Sequence, residues 1–296
     1  MIEVIITSFK EPKTIGKAIE SFLEQDLKEK YRIWVVAPDK ETLDIAREYG
    51  KKDKRVKIFV DPGKGKSYAL HQILPKLKGG IIVLSDGDVF IGKNGLKHLA
   101  EPFKDEKVGC VTGRPKSLDS KKDIYGYWSH LLCDAGAHGA RLKRARKGEF
   151  LECSGYLWAF RNNVVKKFPM DVAEDAVVPY LFREKGYKIV YADKAEVFVY
   201  FPKNLKEFVE QKKRTAKSHE TLGKYINMKK LPRTKSFKNE ILEGHRAFSY
   251  PRNVKELFYT LTLFPVRLYI WTLVFYHTLI KKEHYQDAWE RVESTK

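Results

Sequence analysis

Hydrophobic residues in the first half of the chain fall into two alternating patterns. Short continuous apolar runs predict buried strands at residues 2–7, 33–36, 56–60 and 81–84. Apolar residues spaced three or four positions apart predict helices at residues 14–24, 41–49 and 67–77. This strand–helix–strand repetition favours an α/β fold, so we expect a Rossmann-like, mostly parallel central sheet flanked by helices.

The pattern is less regular after residue 112. The segment 117–150 is predicted to be helical and basic, and further strands are expected at residues 155–160, 188–192 and 197–201, followed by a helix at 205–222. Residues 223–252 are polar and basic and contain Pro232 and Pro251. We therefore expect a basic linker or loose loop there.

Residues 257–280 are strongly apolar and aromatic. As one helix they would extend about 36 Å, which is enough to cross a bilayer. Pro265 and Arg267 interrupt the stretch midway. We expect residues 253–296 to form a helical, membrane-associating appendage, with docking at the membrane surface favoured over core packing or true spanning.

The charge balance points to an anionic partner. The 296 residues include 57 Lys and Arg against 38 Asp and Glu, a net charge of +19. Nucleotides, phospholipid headgroups and lipid phosphates suit such a protein, although a charge-rich, thermostable surface has the same composition. The positive charge is dispersed and matches no established nucleic-acid-binding motif, so we expect no nucleic-acid partner.

Cysteine usage and the N-terminus bear on the cellular compartment. Cys110, Cys133 and Cys153 suggest neither a disulfide framework nor a zinc site, and we expect them to be buried as small hydrophobic residues. The chain starts with a strand and has no hydrophobic leader segment. We expect a cytoplasmic protein, peripheral at the inner face of the cell membrane.

Two carboxylates follow the apolar run 81–84. Asp86 and Asp88 are separated by one glycine at the carboxyl end of this strand, which is where open α/β sheets bind ligands. Hard oxygen ligands suit Mg²⁺ or Mn²⁺ carrying a diphosphate. The spacing of the two aspartates is weak evidence by itself, but their position after a buried strand favours a metal site over a solvated turn.

A glycine- and lysine-rich turn at residues 63–67 precedes a predicted helix. Flexible backbone and a cation at a helix N-terminus favour a phosphate-bearing ligand, with Lys66 as the candidate cation. The turn lacks the spacing of a P-loop, so an NTPase is disfavoured. The alternative interpretation of this turn is an ordinary surface loop that binds no ligand.

Together with further segments at 4–11, 155–161, 174–175 and 211–215, these motifs fall in an order that resembles the family 2 inverting glycosyltransferases of the GT-A fold. The resemblance covers roughly residues 2–220. It implies a GT-A domain over residues 1–222, with a nucleotide-binding half at about 1–112 and an acceptor half at about 113–222.

The resemblance also implies roles for individual residues. Asp175 would be the general base, and Asp86 and Asp88 would hold Mn²⁺ or Mg²⁺. A UDP- or GDP-sugar donor would contact Thr7, Phe9, Glu11, Asp39, Lys66, Asp86 and Arg214. A sugar or lipid-linked acceptor would contact Tyr156, Trp158, Glu174 and Gln211.

Some positions depart from the family pattern. Thr7 and Lys10 replace the usual proline and asparagine, Asp39 stands where paired aspartates normally read the base, and Thr215 replaces a tryptophan. Donor base and processivity therefore stay open. Structural roles are also open: Asp39 as a helix cap, the 174–175 acids at a helix N-terminus, Gln211 and Arg214 on a solvated helix face, and Tyr156 and Trp158 as buried strand aromatics.

The favoured hypothesis is thus a nucleotide-sugar glycosyltransferase at the cytoplasmic membrane face. The basic stretches 141–147 and 212–217 and the aromatic C-terminal segment would suit an acceptor carried on a lipid phosphate. A sugar-phosphate nucleotidyltransferase is the alternative enzyme, although a glycine-rich, arginine-bearing N-terminal loop is missing. A metal-independent or inactive sugar-binding relative and a basic nucleic-acid-binding protein are the other classes.

Overall fold

The computed structural model describes residues 1–165, 167–231, 233–283, 285 and 293–295. Within these residues, eight strands form one sheet: β1 Ile2–Thr7, β2 Tyr31–Ala37, β3 Val56–Val60, β4 Ile81–Asp86, β5 Phe90–Ile91, β6 Val108–Ser117, β7 Leu157–Arg161 and β8 Lys188–Val199. Their order across the sheet is β3-β2-β1-β4-β7-β6-β8-β5.

The first half of the sheet is parallel. Strand β1 pairs with β2 and β4, and β2 pairs with β3, all in parallel register. The helices α1 Ile15–Leu23, α2 Lys40–Lys52 and α3 Lys66–Ile73 lie between these strands in the chain. The predicted α/β fold with a mostly parallel sheet is confirmed, and the carboxyl ends of β1 and β4 lie side by side.

The second half of the sheet is mixed. Strand β7 runs antiparallel between β4 and β6, β6 and β8 are parallel, and β5 pairs antiparallel with β8. Strand β8 is continuous where the sequence pattern predicted two separate strands. The helices here are α4 Gly95–Ala100, α5 Ile124–Leu131, a π-helix at Leu132–His138, α6 Gly139–Arg146, α7 Glu174–Glu184 and α8 Leu205–Lys217.

The two faces of the sheet carry separate hydrophobic clusters because side chains alternate along each strand. On β1, Val4 and Ile6 belong to one cluster and Ile5 to the other. Cys133 lies in the first cluster, and Cys110 and Cys153 lie in the second; all three are buried free thiols, as predicted.

The C-terminal part packs against the side of this domain. Helix α9, Phe237–Glu243, lies in the segment predicted to be a loose linker, and Phe237 contacts Trp271 of α10, Val254–Phe275. The linker prediction is wrong here, because Ser236 caps α9, and Phe237 and Glu240 of α9 contact α10. Helix α10 packs on Trp128 of α5 and Phe208 of α8.

Helix α10 and its continuation leave much apolar surface outside. The helical stretch Val254–Ile280 is long and apolar enough to cross a membrane, yet 28% of its most apolar window is buried in the protein. Phe258 and Leu268 are more than half exposed. The predicted appendage is therefore partly packed on the domain and partly free for a membrane surface; residues 284, 286–292 and 296 of it lie outside the described residues.

Candidate active site

The site begins where β1 and β4 end. Thr7 and Asp86 are paired in the parallel register, and the Thr7 hydroxyl donates to Asp86 Oδ1 at 3.1 Å and to the Ser85 carbonyl at 3.3 Å. The Gly87 backbone N–H donates to the Thr7 carbonyl at 2.9 Å. The Asp86–Asp88 loop is thus fastened directly to the end of the first strand.

Gly87 lies against the turn that follows β1. A Cβ atom on Gly87 would lie 2.3 Å from Ser8 Oγ and 2.5 Å from Glu11 Oε2, closer than atoms can approach. The Ser8 hydroxyl donates to Glu11 Oε2 at 2.7 Å, and the Glu11 N–H donates to Thr42 Oγ1 at 2.9 Å. Glycine between the two aspartates is therefore a packing requirement.

Lys66 joins this loop to α7. Its ammonium lies 2.8 Å from Asp86 Oδ1 and 2.9 Å from Glu174 Oε1. Burial alone would lower the pKa of Lys66, but the two carboxylates outweigh it and raise the pKa well above its ordinary value. The preceding turn has positive φ at Gly63 and Gly65, which only glycine adopts without strain.

Asp175 follows Glu174 in the first turn of α7. Its Oδ2 lies 3.3 Å from the place that a Cβ on Gly155 would occupy, so this carboxylate faces the segment before β7. The Ser85 hydroxyl donates to the Tyr156 carbonyl at 3.0 Å, which connects the same segment to the end of β4. Burial, then Cys133, Asp88 and Asp86, raises the pKa of Tyr156.

These side chains line one cavity of about 1290 Å³. Helix α8 contributes Gln211 and Arg214 to its wall, and α10 contributes apolar residues. Of the sequence-predicted residues, the cavity brings together Thr7, Phe9, Glu11, Lys66, Asp86, Asp88, Tyr156, Glu174, Asp175, Gln211 and Arg214.

Two predicted site residues lie elsewhere. Asp39 caps α2 by accepting from the Thr42 N–H at 3.0 Å, and it also accepts from the Lys10 N–H at 2.7 Å, where Lys10 has a positive φ of 53°. Trp158 is fully buried against Phe160 in the core and is absent from the described lining of the cavity. In the structure, Asp39 is a helix cap and Trp158 is a core aromatic residue.

The donor set at Asp86 and Asp88 fits Mn²⁺ or Mg²⁺ bound together with a substrate. The described residues contain no group of three or more His, Cys, Asp or Glu side chains that would enclose a metal. Two adjacent carboxylates at the wall of an open cavity leave coordination positions for phosphate oxygens and water, which is how Mg²⁺ is usually held. Asp86 Oδ1 accepts from Thr7 and Lys66, which fixes the orientation of that carboxylate.

Several cavity residues were not singled out by the sequence. His219 Nε2 lies 3.2 Å from Glu152 Oε2, and the Tyr180 hydroxyl donates to Glu152 Oε1 at 2.8 Å. Burial would raise the pKa of Glu152, but His219 and Lys235 hold it well below its usual range. No motif marks this buried cluster in the sequence, because its members come from three distant places: the segment before β7, helix α7 and the residues after α8.

Arg141 and Lys212 also line the cavity without having been named individually. The sequence marked both only as members of the basic runs 141–147 and 212–217. Which residue of a basic run faces inward depends on how its helix packs, and periodicity in a mostly polar helix does not reveal this.

Comparison with known proteins agrees with this geometry. Residues 2–218 match the family described as "Glycosyltransferase like family 2". An N-acetylglucosaminyltransferase of Rhizobium meliloti (strain 1021) is 25% identical over 240 residues, which cover 73% of this chain and 55% of that protein. A poly-beta-1,6-N-acetyl-D-glucosamine synthase of Staphylococcus aureus (strain COL) is 26% identical over 237 residues, covering 75% of this chain and 55% of that protein.

A solved structure supports the fold. The mannosyltransferase PcManGT from Pyrobaculum calidifontis, in complex with GDP-Man and Mn²⁺, superposes with a TM-score of 0.65 at 17% identity, covering 95% of this chain and 88% of that one. The chain spans about half the length of the curated relatives it matches. Because the family match covers most of its residues, the chain belongs to glycosyltransferase-like family 2 and has the GT-A fold.

Proposed function

We propose that the protein transfers a sugar from a nucleoside-diphosphate sugar to a hydroxyl group, with inversion at the anomeric carbon. The observation that carries this proposal is the meeting of Asp86, Asp88, Lys66 and Asp175 at one end of a single cavity. Carboxylates and a buried cation suited to a diphosphate thus lie beside a separate carboxylate suited to an acceptor.

The proposed step is a direct displacement. Asp175 accepts the proton of the acceptor hydroxyl while the oxygen forms a bond to the anomeric carbon. The bond from that carbon to the diphosphate oxygen breaks, and the nucleoside diphosphate leaves with the electron pair. Lys66 and Arg214 stabilise the negative charge that develops on the leaving group.

Asp86 and Asp88 would hold Mn²⁺ or Mg²⁺, and such an ion supplies charge neutralisation of the diphosphate when bound. Among the relatives, the mannosyltransferase is in complex with GDP-Man and Mn²⁺, and two others are named for transfer or polymerisation of N-acetylglucosamine. We therefore include both UDP- and GDP-sugars as candidate donors.

Asp175 suits the role of base better than Glu174. The Glu174 side chain is only 6% exposed, and it is held in an ion pair with Lys66. Asp175 is partly exposed to the cavity and lies beside Gly155. Glu174 is therefore proposed to position Lys66 rather than to accept a proton.

A panel of UDP- and GDP-sugars tests the proposal. We expect one donor to raise the melting temperature of the protein in the presence of Mn²⁺ and to be hydrolysed slowly without an acceptor. Asp88→Asn should abolish both effects, whereas Asp175→Asn should retain donor stabilisation and lose transfer. Activity with a nucleoside triphosphate and a sugar phosphate, and none with nucleotide sugars, would instead identify a nucleotidyltransferase.

We also propose that the protein works at the cytoplasmic face of a membrane with anionic lipids. Exposed apolar side chains on α10 and a net charge of +19 support this location. In a flotation assay with anionic liposomes we expect the chain to float, and Phe258→Ser with Leu268→Ser to stay in the soluble fraction. Lys143→Gln with Lys147→Gln reports how much of the binding is charge alone.

A further inference from the structure

The proposed catalytic cavity changes character along its length. Asp86, Asp88 and Asp175 come from the end of β4 and the start of α7, whereas α9, α10 and the segment between them add an apolar wall, with Phe264 of α10 stacked on Phe248 at 5.1 Å between ring centroids. The apolar residues there are Ile241, Phe248, Leu263, Phe264, Leu268 and Trp271.

Basic side chains also line this cavity. Tyr156 is within electrostatic range of Asp86, Asp88 and Cys133. Cys133 is in turn within range of both Arg141 and Lys212. Tyr156 is thus near the carboxylates, Cys133 is near the basic pair, and all of them line the same cavity as the apolar wall.

Arg141 is a buried cation that forms no ion pair with any described residue. It is 8% exposed, and its guanidinium donates from Nε to the Glu152 carbonyl and from Nη2 to the Cys153 carbonyl, both at 3.3 Å. Its third nitrogen, Nη1, is buried without a hydrogen-bond partner, and the described part of the chain places no carboxylate within 4.0 Å of it. A buried guanidinium in this state favours an anionic ligand.

Lys212 is similar. Its ammonium lies 4.3 Å from the centroid of the Phe201 ring, and no described carboxylate forms an ion pair with it. Burial, followed by the charge of Arg267, lowers the pKa of Lys212 to about 7. The nearby acid Glu240 is already engaged, since it accepts from Arg267 at 2.6 Å and from Trp271 at 2.9 Å.

We propose that the acceptor is an amphiphile whose phosphate group joins a hydroxyl-bearing head to a hydrocarbon tail. Its hydroxyl would face Asp175, its phosphate would bind Arg141 and Lys212, and its tail would lie along the apolar wall. This inference rests on the proposed function. The phosphate is bound away from Asp175, so the attacking atom is a hydroxyl oxygen of the head, and the bonds made and broken are those given above.

The shape of the cavity supports the proposal. The π-helix and the start of α6 face it with the small residues Ala135, Gly136, Ala137 and Ala140, which leave room beside the basic pair. At the apolar end, Leu268 is 58% exposed and Ile241 is 62% exposed. A long tail can therefore leave the cavity along the same exposed face that we propose to dock on the membrane.

Binding of three probes to the full chain tests this site by calorimetry. Decyl phosphate has both the anion and the tail, decyl glucoside has the tail and a neutral head, and inorganic phosphate has the anion alone. We expect decyl phosphate to bind at least about tenfold more tightly than either of the others. Arg141→Gln and Lys212→Gln should each remove most of that preference and leave decyl glucoside binding unchanged.

Matched controls come from the same helices. Lys143 on α6 is exposed and Lys213 on α8 pairs with Glu210 at 2.6 Å; neither lines the cavity among its described residues. Lys143→Gln and Lys213→Gln should leave all three affinities unchanged. An equal loss in these controls would attribute the binding to surface charge and overturn the site.

Two further outcomes would overturn the proposal. Inorganic phosphate binding as tightly as decyl phosphate, and displaced by UDP or GDP, would assign the basic pair to the donor. Loss of the Mn²⁺-dependent donor stabilisation in Lys212→Gln would do the same. If Arg141→Gln fails to fold, Lys212→Gln, on a half-buried helix face, still decides. If no UDP- or GDP-sugar binds or is hydrolysed but decyl phosphate still binds, the proposed function is rejected and the phosphate-binding site at Arg141 and Lys212 is kept.

Discussion

Lys66 Nζ lies 2.9 Å from Glu174 Oε1, and this contact joins the first residue of α3 to the first residue of α7. The two side chains are 16% and 6% exposed, so the pair is largely shielded from water. Lys66 also contacts Asp86. One ammonium thus connects the proposed metal-binding loop to the helix that carries the proposed base.

Removing the negative partner should destabilise the fold. Glu174→Gln leaves the Lys66 charge with Asp86 alone, and breaking a buried pair typically costs about 3–5 kcal/mol. We expect the free energy of unfolding in urea to fall by about 3 kcal/mol. Lys66→Met combined with Glu174→Leu should lose less than the sum of the two single changes, because both charges of the buried pair are removed together and only Asp86, which is 30% exposed, loses a partner.

The surface pair of Glu210 and Lys213 provides the comparison. The Glu210 side chain is 57% exposed, so Glu210→Gln should change the unfolding free energy by less than about 1 kcal/mol. Equal losses for Glu174→Gln and Glu210→Gln would show that the Lys66 contact has no structural weight.

Gly87→Ala tests the close packing between the two aspartates and the β1 turn. The added methyl would overlap Ser8 and Glu11, so the turn must move or the loop must open. We expect a loss of about 1–3 kcal/mol in stability and at least about tenfold weaker Mn²⁺-dependent donor binding. Donor binding is measured by calorimetry at a temperature where the variant is folded.

Gly80, immediately before β4, is a matched control for Gly87, immediately after it. A Cβ on Gly80 meets no atom within 4 Å, and Gly80 has no positive φ. Gly80→Ala should therefore keep full donor affinity. If Gly87→Ala also kept it, the contact between the loop and the turn would not shape the donor site.

Much of this site follows from the sequence because parallel strands end at one edge. The pairing of Thr7 with Asp86 follows from two apolar runs whose polar ends must lie side by side. Tyr156 and Trp158 show where that logic stops. Two residues apart in a strand they would share a face, but β7 begins only at Leu157, so Tyr156 lies in the preceding turn and faces the cavity while Trp158 faces the core.

The part of the cavity wall formed by the C-terminal helices could not be predicted from the sequence, for a different reason. Its wall is made by α8, α9 and α10, which are distant in sequence from the strand ends. Polar segments such as 223–252 give little periodic signal, so neither α9 nor its contact with Trp271 could be predicted. Helix phase and tertiary packing determine which basic residues of α6 and α8 point inward.

Trp158→Phe separates a core role from an acceptor role. The indole is fully buried beside Phe160, so the change should lower the unfolding free energy by on the order of 2 kcal/mol, less than truncation to alanine. Donor hydrolysis and decyl phosphate binding should be unchanged at temperatures well below the transition. Weakened decyl phosphate binding in a variant of native stability would place Trp158 at the acceptor surface instead.

Lys212 gives the stability a predictable dependence on pH. Burial and Arg267 lower its pKa from 10.5 to about 7 in the folded protein, so between these values the unfolded chain binds more protons than the folded one. Lys212 therefore makes the free energy of unfolding rise with pH across this interval. Its destabilising effect, the cost of charging a buried amine, is greatest at and below about pH 7. Lys212→Met removes the amine and should flatten this rise, with higher stability than the parent protein at pH 7.

The measurement is the difference in urea unfolding free energy between the two proteins from pH 7 to pH 10, since other titrating groups cancel in the difference. A constant difference across that range would mean that Lys212 keeps its charge in the folded state. The proposed phosphate-binding site would then contain a fully charged ammonium before any ligand binds.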